Sequence, residues 1–174
     1  MCVTEKKPLL RERSWSNYWR ISSSEDKEKV IAHLEHLVPG DDEEHCFLRQ
    51  RAVLMADEML ENALFAAPRD TQGRPLYAKG ERRSLSPDEQ IEFISLYDGD
   101  TLALEVTDTW GSLTPETVRS FLDMNLSENE PVEDRSGRGL YFMWRVMQDF
   151  YLSAVPGIET TVGGLLQLQT KNCD

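Results

Sequence analysis

The sequence predicts an α+β fold, one largely antiparallel or mixed sheet with its helices packed on one face. Two observations carry this. The strand-like segments come mostly as hairpins rather than alternating with helices, and a long helix early in the chain has apolar residues on two sides. A length of 174 residues fits one domain with a full hydrophobic core. Residues 14–169 are expected to form that domain, with 1–13 a loose leading segment and 170–174 a polar tail.

Taken in order, Ser14 to Ser22 set Trp15, Tyr18, Trp19 and Ile21 among serines, the pattern of an edge strand. Ser23 to Asp26 supply a cap and first-turn acids. Val30, Ile31, Leu34, Leu37 and Val38 then make one helical stripe, which Pro39-Gly40 stop. His33 and His36 lie on this helix and His45 beyond it, a set that reads as solvent-side residues rather than metal ligands.

Asp41 to Glu44 open the central helix and Pro68 closes it. At about 100° per residue, Leu48, Ala52, Met55, Met59, Ala63 and Ala66 share a stripe roughly 80° wide. Val53, Leu60 and Leu64 lie opposite, which places the helix centrally. The segment 69–90 gathers Arg69, Arg74, Lys79, Arg82 and Arg83 among glycines and prolines. It reads as a solvated connection, with a phosphate-facing or partner-facing loop as the alternative and Leu76-Tyr77 as a short strand.

Ile91 to Tyr97 and Leu102 to Thr107 flank Asp98-Gly99-Asp100 as a hairpin. Thr114-Pro115-Glu116 begin another helix. Residues 125–135 are acidic, proline-interrupted and expected to be mobile. A last helix buries Leu140, Met143, Trp144, Met147 and Phe150. A final hairpin runs from Tyr151 to Gln169, in which Gly163-Gly164 mark a bulge or a close backbone approach.

The net charge of −12 argues against nucleic acid or an anionic membrane as a general partner. Cys2, Cys46 and Cys173 form no C-x-x-C pair, and no apolar run approaches the ~18 residues of a membrane span. A soluble, cytoplasmic protein with reduced thiols is expected.

Three pieces carry chemistry. Glu58 and Asn62 lie one helical turn apart at the edge of, and inside, an apolar stripe, where unpartnered polar groups cost about 1–3 kcal/mol. The amide oxygen of Asn62 suits Mg²⁺, and a carboxylate at Glu58 can orient or deprotonate a nucleophile. Asp108 ends a strand, where one carboxylate can accept from an exocyclic amine such as that of adenine. Ser136, Gly137, Arg138 and Gly139 precede a helix whose N-terminal N–H groups and dipole favour phosphate. Each has a simpler reading: a paired polar couple, a turn residue and a helix cap.

In this order and context the three resemble the N box and the two glycine boxes of the histidine-kinase-like, or Bergerat-fold, ATPases. The run Ser136-Gly137-Arg138-Gly139-Leu140-Tyr141-Phe142-Met143, with Val146 to Asp149, is most similar to the anti-sigma-factor serine kinases. The resemblance implies a two-layer α/β sandwich that binds ATP and Mg²⁺, with Asn62 on the metal and Glu58 as catalytic base. It implies further that Asp108, with Gly111, binds the base, and that Ser136, Gly137, Arg138, Gly139 and Leu140 hold the phosphates. It implies a protein partner, a sigma factor or a STAS-type antagonist phosphorylated on serine, and is compatible with a homodimer. The chain departs from the pattern at Trp110 and Ser112, which stand at the two glycine positions after Asp108. A tryptophan there either stacks on adenine or fills the pocket, and the latter leaves a binding module without catalysis.

Overall fold

Serines and acids start the helices through side-chain hydrogen bonds to backbone N–H groups that have no helical partner. The carboxylate of Asp26 accepts from the backbone N–H groups of Ser22 at 2.8 Å and Ser23 at 3.1 Å, which opens α1 (Ser24–Leu37). Asp42 accepts from Glu44 and His45 N–H at 3.1 and 3.0 Å and opens α2 (Glu43–Glu61). Thr114 does the same further on. Its Oγ1 accepts from Thr117 N–H at 3.2 Å, and residues 117–119 are helical.

The computed structural model describes residues 15–114, 117–119 and 138–168. The expected loose segment 1–13, mobile stretch 125–135 and tail 170–174 lie outside the described residues, as do Ser136 and Gly137. Five strands make the sheet: β1 (Trp15–Ile21), β2 (Ile91–Tyr97), β3 (Thr101–Asp108), β4 (Gln148–Val155) and β5 (Glu159–Gln167). Their spatial order is β1-β2-β3-β5-β4, and every neighbouring pair is antiparallel. The class is therefore α+β as expected, and the described sheet has no parallel pair. Among the described residues no helix is long and apolar enough to cross a membrane.

Alternation decides which face is inside. Ile91, Phe93, Ser95 and Tyr97 of β2 are buried, while Glu92, Ile94 and Leu96 are half-buried. The inward side chains of the strands join Val30 and Leu34 of α1, Leu48, Met55, Met59 and Leu60 of α2, and Met143 of α3 (Arg138–Val146) in one core. Burying each such Leu, Met or Phe contributes about 1.5–3 kcal/mol. Both apolar sides of α2 are used, one against the sheet and the other against its neighbouring helices.

Three local expectations fail. Trp144 is 40% exposed, because α3 stops at Val146 and meets α2 through Leu140 and Met143; the indole lies against Tyr141, ring centres 5.8 Å apart. Phe150 is in β4 rather than on the helix. Leu76 and Tyr77 form no strand. Gly163 is a close approach rather than a bulge: a Cβ there would lie 2.9 Å from Cε1 of Tyr151, whose hydroxyl donates to Glu105. The irregularity sits on β4, between Gln148 and Tyr151, where Asp149 has φ 46°.

The basic segment is neutralised internally. Arg69 donates to the carbonyls of Ala66 and Gly73, Arg74 pairs with Asp70, Arg82 with Glu25, and Lys79 stands 4.0 Å from Glu61. Arg83 is buried over the ring of Tyr77, donating to Leu64 O at 2.8 Å and to Glu89. Its backbone exchanges hydrogen bonds with Ser24, at 2.9 and 3.0 Å. Arg83 thus ties the end of the central helix to the start of α1, and the solvated-connection reading needs that amendment.

Arg83→Met should cost about 3–5 kcal/mol, since it leaves Glu89 buried without its cation. Arg74→Ala, at an exposed pair, should cost within about 0.5 kcal/mol. Urea denaturation of the two variants checks this, and equal losses would contradict the role given to Arg83.

Candidate functional site

The central helix does not stay α-helical. At Asn62 it widens into a π turn, Asn62–Ala66, closed by Ala67 N–H donating to Asn62 O at 2.8 Å. The N–H of Asn62 is shared between the carbonyls of Glu58 and Met59. Such turns rotate the following side chains relative to an α-helix and recur at functional sites. Here the turn packs on β3, the strand that ends in Asp108, with Ala63, Leu64 and Phe65 buried. The fold therefore brings the element carrying Glu58 and Asn62 onto the strand carrying Asp108.

Gly139, on the first turn of α3, lies directly against the pair. A Cβ built on it would be 2.5 Å from Glu58 Oε2 and 3.2 Å from Asn62 Nδ2. Only glycine lets the start of α3 come this near without displacing the carboxylate. Leu140, next along, is buried and anchors the helix in the core. Three of the residues singled out in the sequence thus meet at one place: Glu58, Asn62 and Gly139.

Asp108 stands at the end of β3. It is buried at the inner face of the sheet, and its Oδ1 accepts from Trp110 N–H at 2.9 Å. Burial pushes its carboxyl up to about 6, against the backbone hydrogen bonds from Trp110 and Gly111, which favour the ionised form. Gly111 is held as well as holding. Its φ is +54°, its carbonyl accepts from Gly157 N–H at 2.9 Å, and a Cβ would fall 2.5 Å from Ile158 N. It is a structural glycine that orients a backbone donor onto Asp108.

Sequence reading missed Thr160. Antiparallel register sets it opposite Asp108, and its hydroxyl is buried with no hydrogen-bond partner among the described residues. Cross-strand neighbours share a face, so a buried acceptor and a buried hydroxyl stand side by side. Only strand pairing shows this, because the two residues are far apart in the chain. A planar ligand with adjacent donor and acceptor groups matches the pair.

Trp110 lines a separate cavity of about 400 Å³ with Tyr77, Leu85 and Glu89, and its Nε1 is buried without a partner. On the next face of α2, Lys27 of α1 pairs with Asp57 at 2.8 Å and with the buried Glu61. That cluster fixes α1 against α2 one residue before Asn62. No group of three or more His, Cys, Asp or Glu side chains converges on a metal position among the described residues. A Mg²⁺ ion held through Asn62 would take most of its ligands from water and phosphate, as is usual for that ion. No family model matches the chain, and no curated protein matches it.

The raised carboxyl of Asp108 makes stability depend on pH. Between its ordinary 3.8 and about 6 the folded chain keeps a proton that the unfolded chain has lost. Stability from this group is therefore full below about pH 4 and is lost as pH rises through about 6, by roughly 3 kcal/mol. Asp108→Asn removes the buried charge. It should raise the melting temperature at pH 7.5 more than at pH 4, and equal shifts at the two pH values would refute burial of an ionisable group there.

Proposed function

We propose that this chain is an ATP–Mg²⁺-binding regulatory protein with a Bergerat-type architecture, and a serine/threonine kinase acting on a protein partner. The observation that carries the reading is the seating of Gly139 against Glu58 and Asn62. A glycine at the start of one helix, and a carboxylate and an amide on another, are adjacent although about eighty residues separate them. A paired polar couple within α2 has no need of a glycine from another helix.

The residues suit the parts. Asp108 and the hydroxyl of Thr160 would receive the adenine edge, the carboxylate accepting from the exocyclic amine. Ser136, Gly137, Arg138, Gly139 and Leu140 would present N–H groups and the positive end of the α3 dipole to the phosphates. The amide oxygen of Asn62 would hold Mg²⁺, which when bound neutralises charge on the transferring phosphoryl group. Glu58 would accept the proton of the attacking serine hydroxyl and orient its oxygen. The partner is proposed to be a sigma factor or a STAS-type antagonist, in the cytoplasm, with the active protein a homodimer and no role for nucleic acid.

A second reading has its own observation. Trp110 stands where the family carries a glycine, and its indole fills space beside the Asp108 turn. If that space is needed by the nucleotide, the chain is a non-catalytic module that sequesters its partner. Calorimetric titration with ATP, with and without Mg²⁺, separates the two: Mg²⁺-dependent micromolar binding is expected, and no heat at millimolar ATP would leave only the binding module.

Glu58→Gln should keep ATP affinity and slow phosphate transfer, to water or to the partner, by about 10²-fold or more. A variant that turns over normally but melts earlier would make Glu58 a structural residue. Asn62→Ala should bring the affinity measured with Mg²⁺ down to the value measured without it. A drop of the same size under both conditions would remove the metal from Asn62.

A further inference from the structure

The end of the sheet remote from Asp108 holds a second cavity that nucleotide chemistry does not use. Ile91, at one end of β2, pairs with Asp108, and Tyr97 ends the strand on the other side. Tyr97 is one wall of a cavity of about 540 Å³. His33, His36 and Leu37 of α1, Asn17 of β1 and Asp98 of the β2–β3 turn are others.

Its charge is negative. Asp98 lines it, and Asp100 and Asp42 stand near enough that, after burial, they raise the phenol of Tyr97. The cavity opens at the C-terminal end of α1, the negative end of that helix dipole. The neighbouring cation Arg49 is already engaged, donating to the carbonyls of Val38 and Gly40, and His45 Nδ1 lies 2.6 Å from Asp42 Oδ2.

Its wall presents several hydrogen-bond acceptors. The Nδ1 of His36 lies 2.8 Å from Ala32 O and must donate to it, so in the neutral ring Nε2 is an acceptor. The Nε2 of His33, whose ring lies against Trp19, is buried with no partner. The carboxylate of Asp98 is an acceptor on the wall, and the Asn17 amide brings groups that accept and donate. Leu37 and the ring of Tyr97 supply an apolar wall. A donor-rich cation on an aliphatic stem meets all of these, and the guanidinium carries five donors and stacks on aromatic faces. A bare metal ion does not suit, as no three ligating side chains converge among the described residues.

We propose that this cavity is the docking pocket for an arginine side chain of a partner polypeptide. The net charge of −12 steers such a basic partner toward the chain, and the pocket gives the encounter its register. The site stands apart from the nucleotide reading and does not require it.

The probe is N-acetyl-arginine amide, titrated into the full chain at fixed pH and ionic strength, with the imidazole Cε1–H signals of His33 and His36 followed by NMR. Saturable shifts of both are expected, with N-acetyl-citrulline amide, the uncharged isostere, binding at least several-fold more weakly. Asp98→Asn keeps an oxygen for the turn N–H groups of Asp100 and Thr101. It should weaken arginine binding about fivefold, the worth of one close charge contact in water. Equal binding of arginine and citrulline amides, undiminished binding by Asp98→Asn, or shifts produced by phosphate instead of arginine would each overturn the proposal. Arginine binding that persists when ATP fails to bind would overturn the nucleotide reading alone.

Discussion

The close approach of α3 to α2 at Gly139 is the constraint on which the rest of the site depends. The carboxylate of Glu58 lies where a Cβ at 139 would sit, and the amide of Asn62 lies in tight contact with that position. Packing of Leu140 and Met143 into the common core sets the height of α3, and the missing Cβ sets how near its first turn can come. A methyl group at 139 would have to move the Glu58 carboxylate aside. The core thus holds the first turn of α3 against the polar pair of the central helix, at the rim of an apolar layer.

The π turn serves the same end. An α-helix continued through Asn62 would carry the apolar stripe on unchanged, and Asn62 would stay inside it. The extra residue in the turn shifts the following positions, and Ala63, Leu64 and Phe65 are all buried there. The carbonyl of Leu64, at the helix end, is met by the guanidinium of Arg83. A helix irregularity at the site is compensated by a buried arginine from a connecting loop, and the loop is tied in turn to the first turn of α1.

Periodicity made the architecture legible. Alternation in β2 and β3 and the two-sided stripe of α2 are local patterns, and β1, α1, α2, β2 and β3 formed within a residue or two of their expected places, whereas the last helix ended four residues early and β4 began in its place. What was not legible depends on tertiary register. The inward turn of Arg83 leaves no trace in a segment whose composition is that of a solvated loop. Trp144 falls near the apolar stripe of its helix by angle, yet α3 has only a narrow contact with α2, so the indole remains outside. Thr160 meets Asp108 only through strand pairing, and the π turn at Asn62 has no sequence signal that distinguishes it from a continuing helix. Glu58, Asn62 and Gly139 were readable because polar or small residues interrupt apolar periodicity at all three.

Charge bears on how an anionic ligand could be held at all. The five basic side chains of segment 69–90 have partners inside the chain, and Arg51 donates to the carbonyls of Val146 and Gln167. None of these is placed to neutralise a triphosphate, and the surrounding charge is negative. Under the proposed nucleotide reading, the positive end of the α3 dipole is worth far less than the several charges of a nucleotide. A divalent cation held through Asn62 would supply the balance. In a chain this acidic, any nucleotide affinity should therefore lean on Mg²⁺ more heavily than in a site lined with lysines and arginines, and the same surplus of negative charge favours the basic ligand proposed for the cavity at the other end of the sheet.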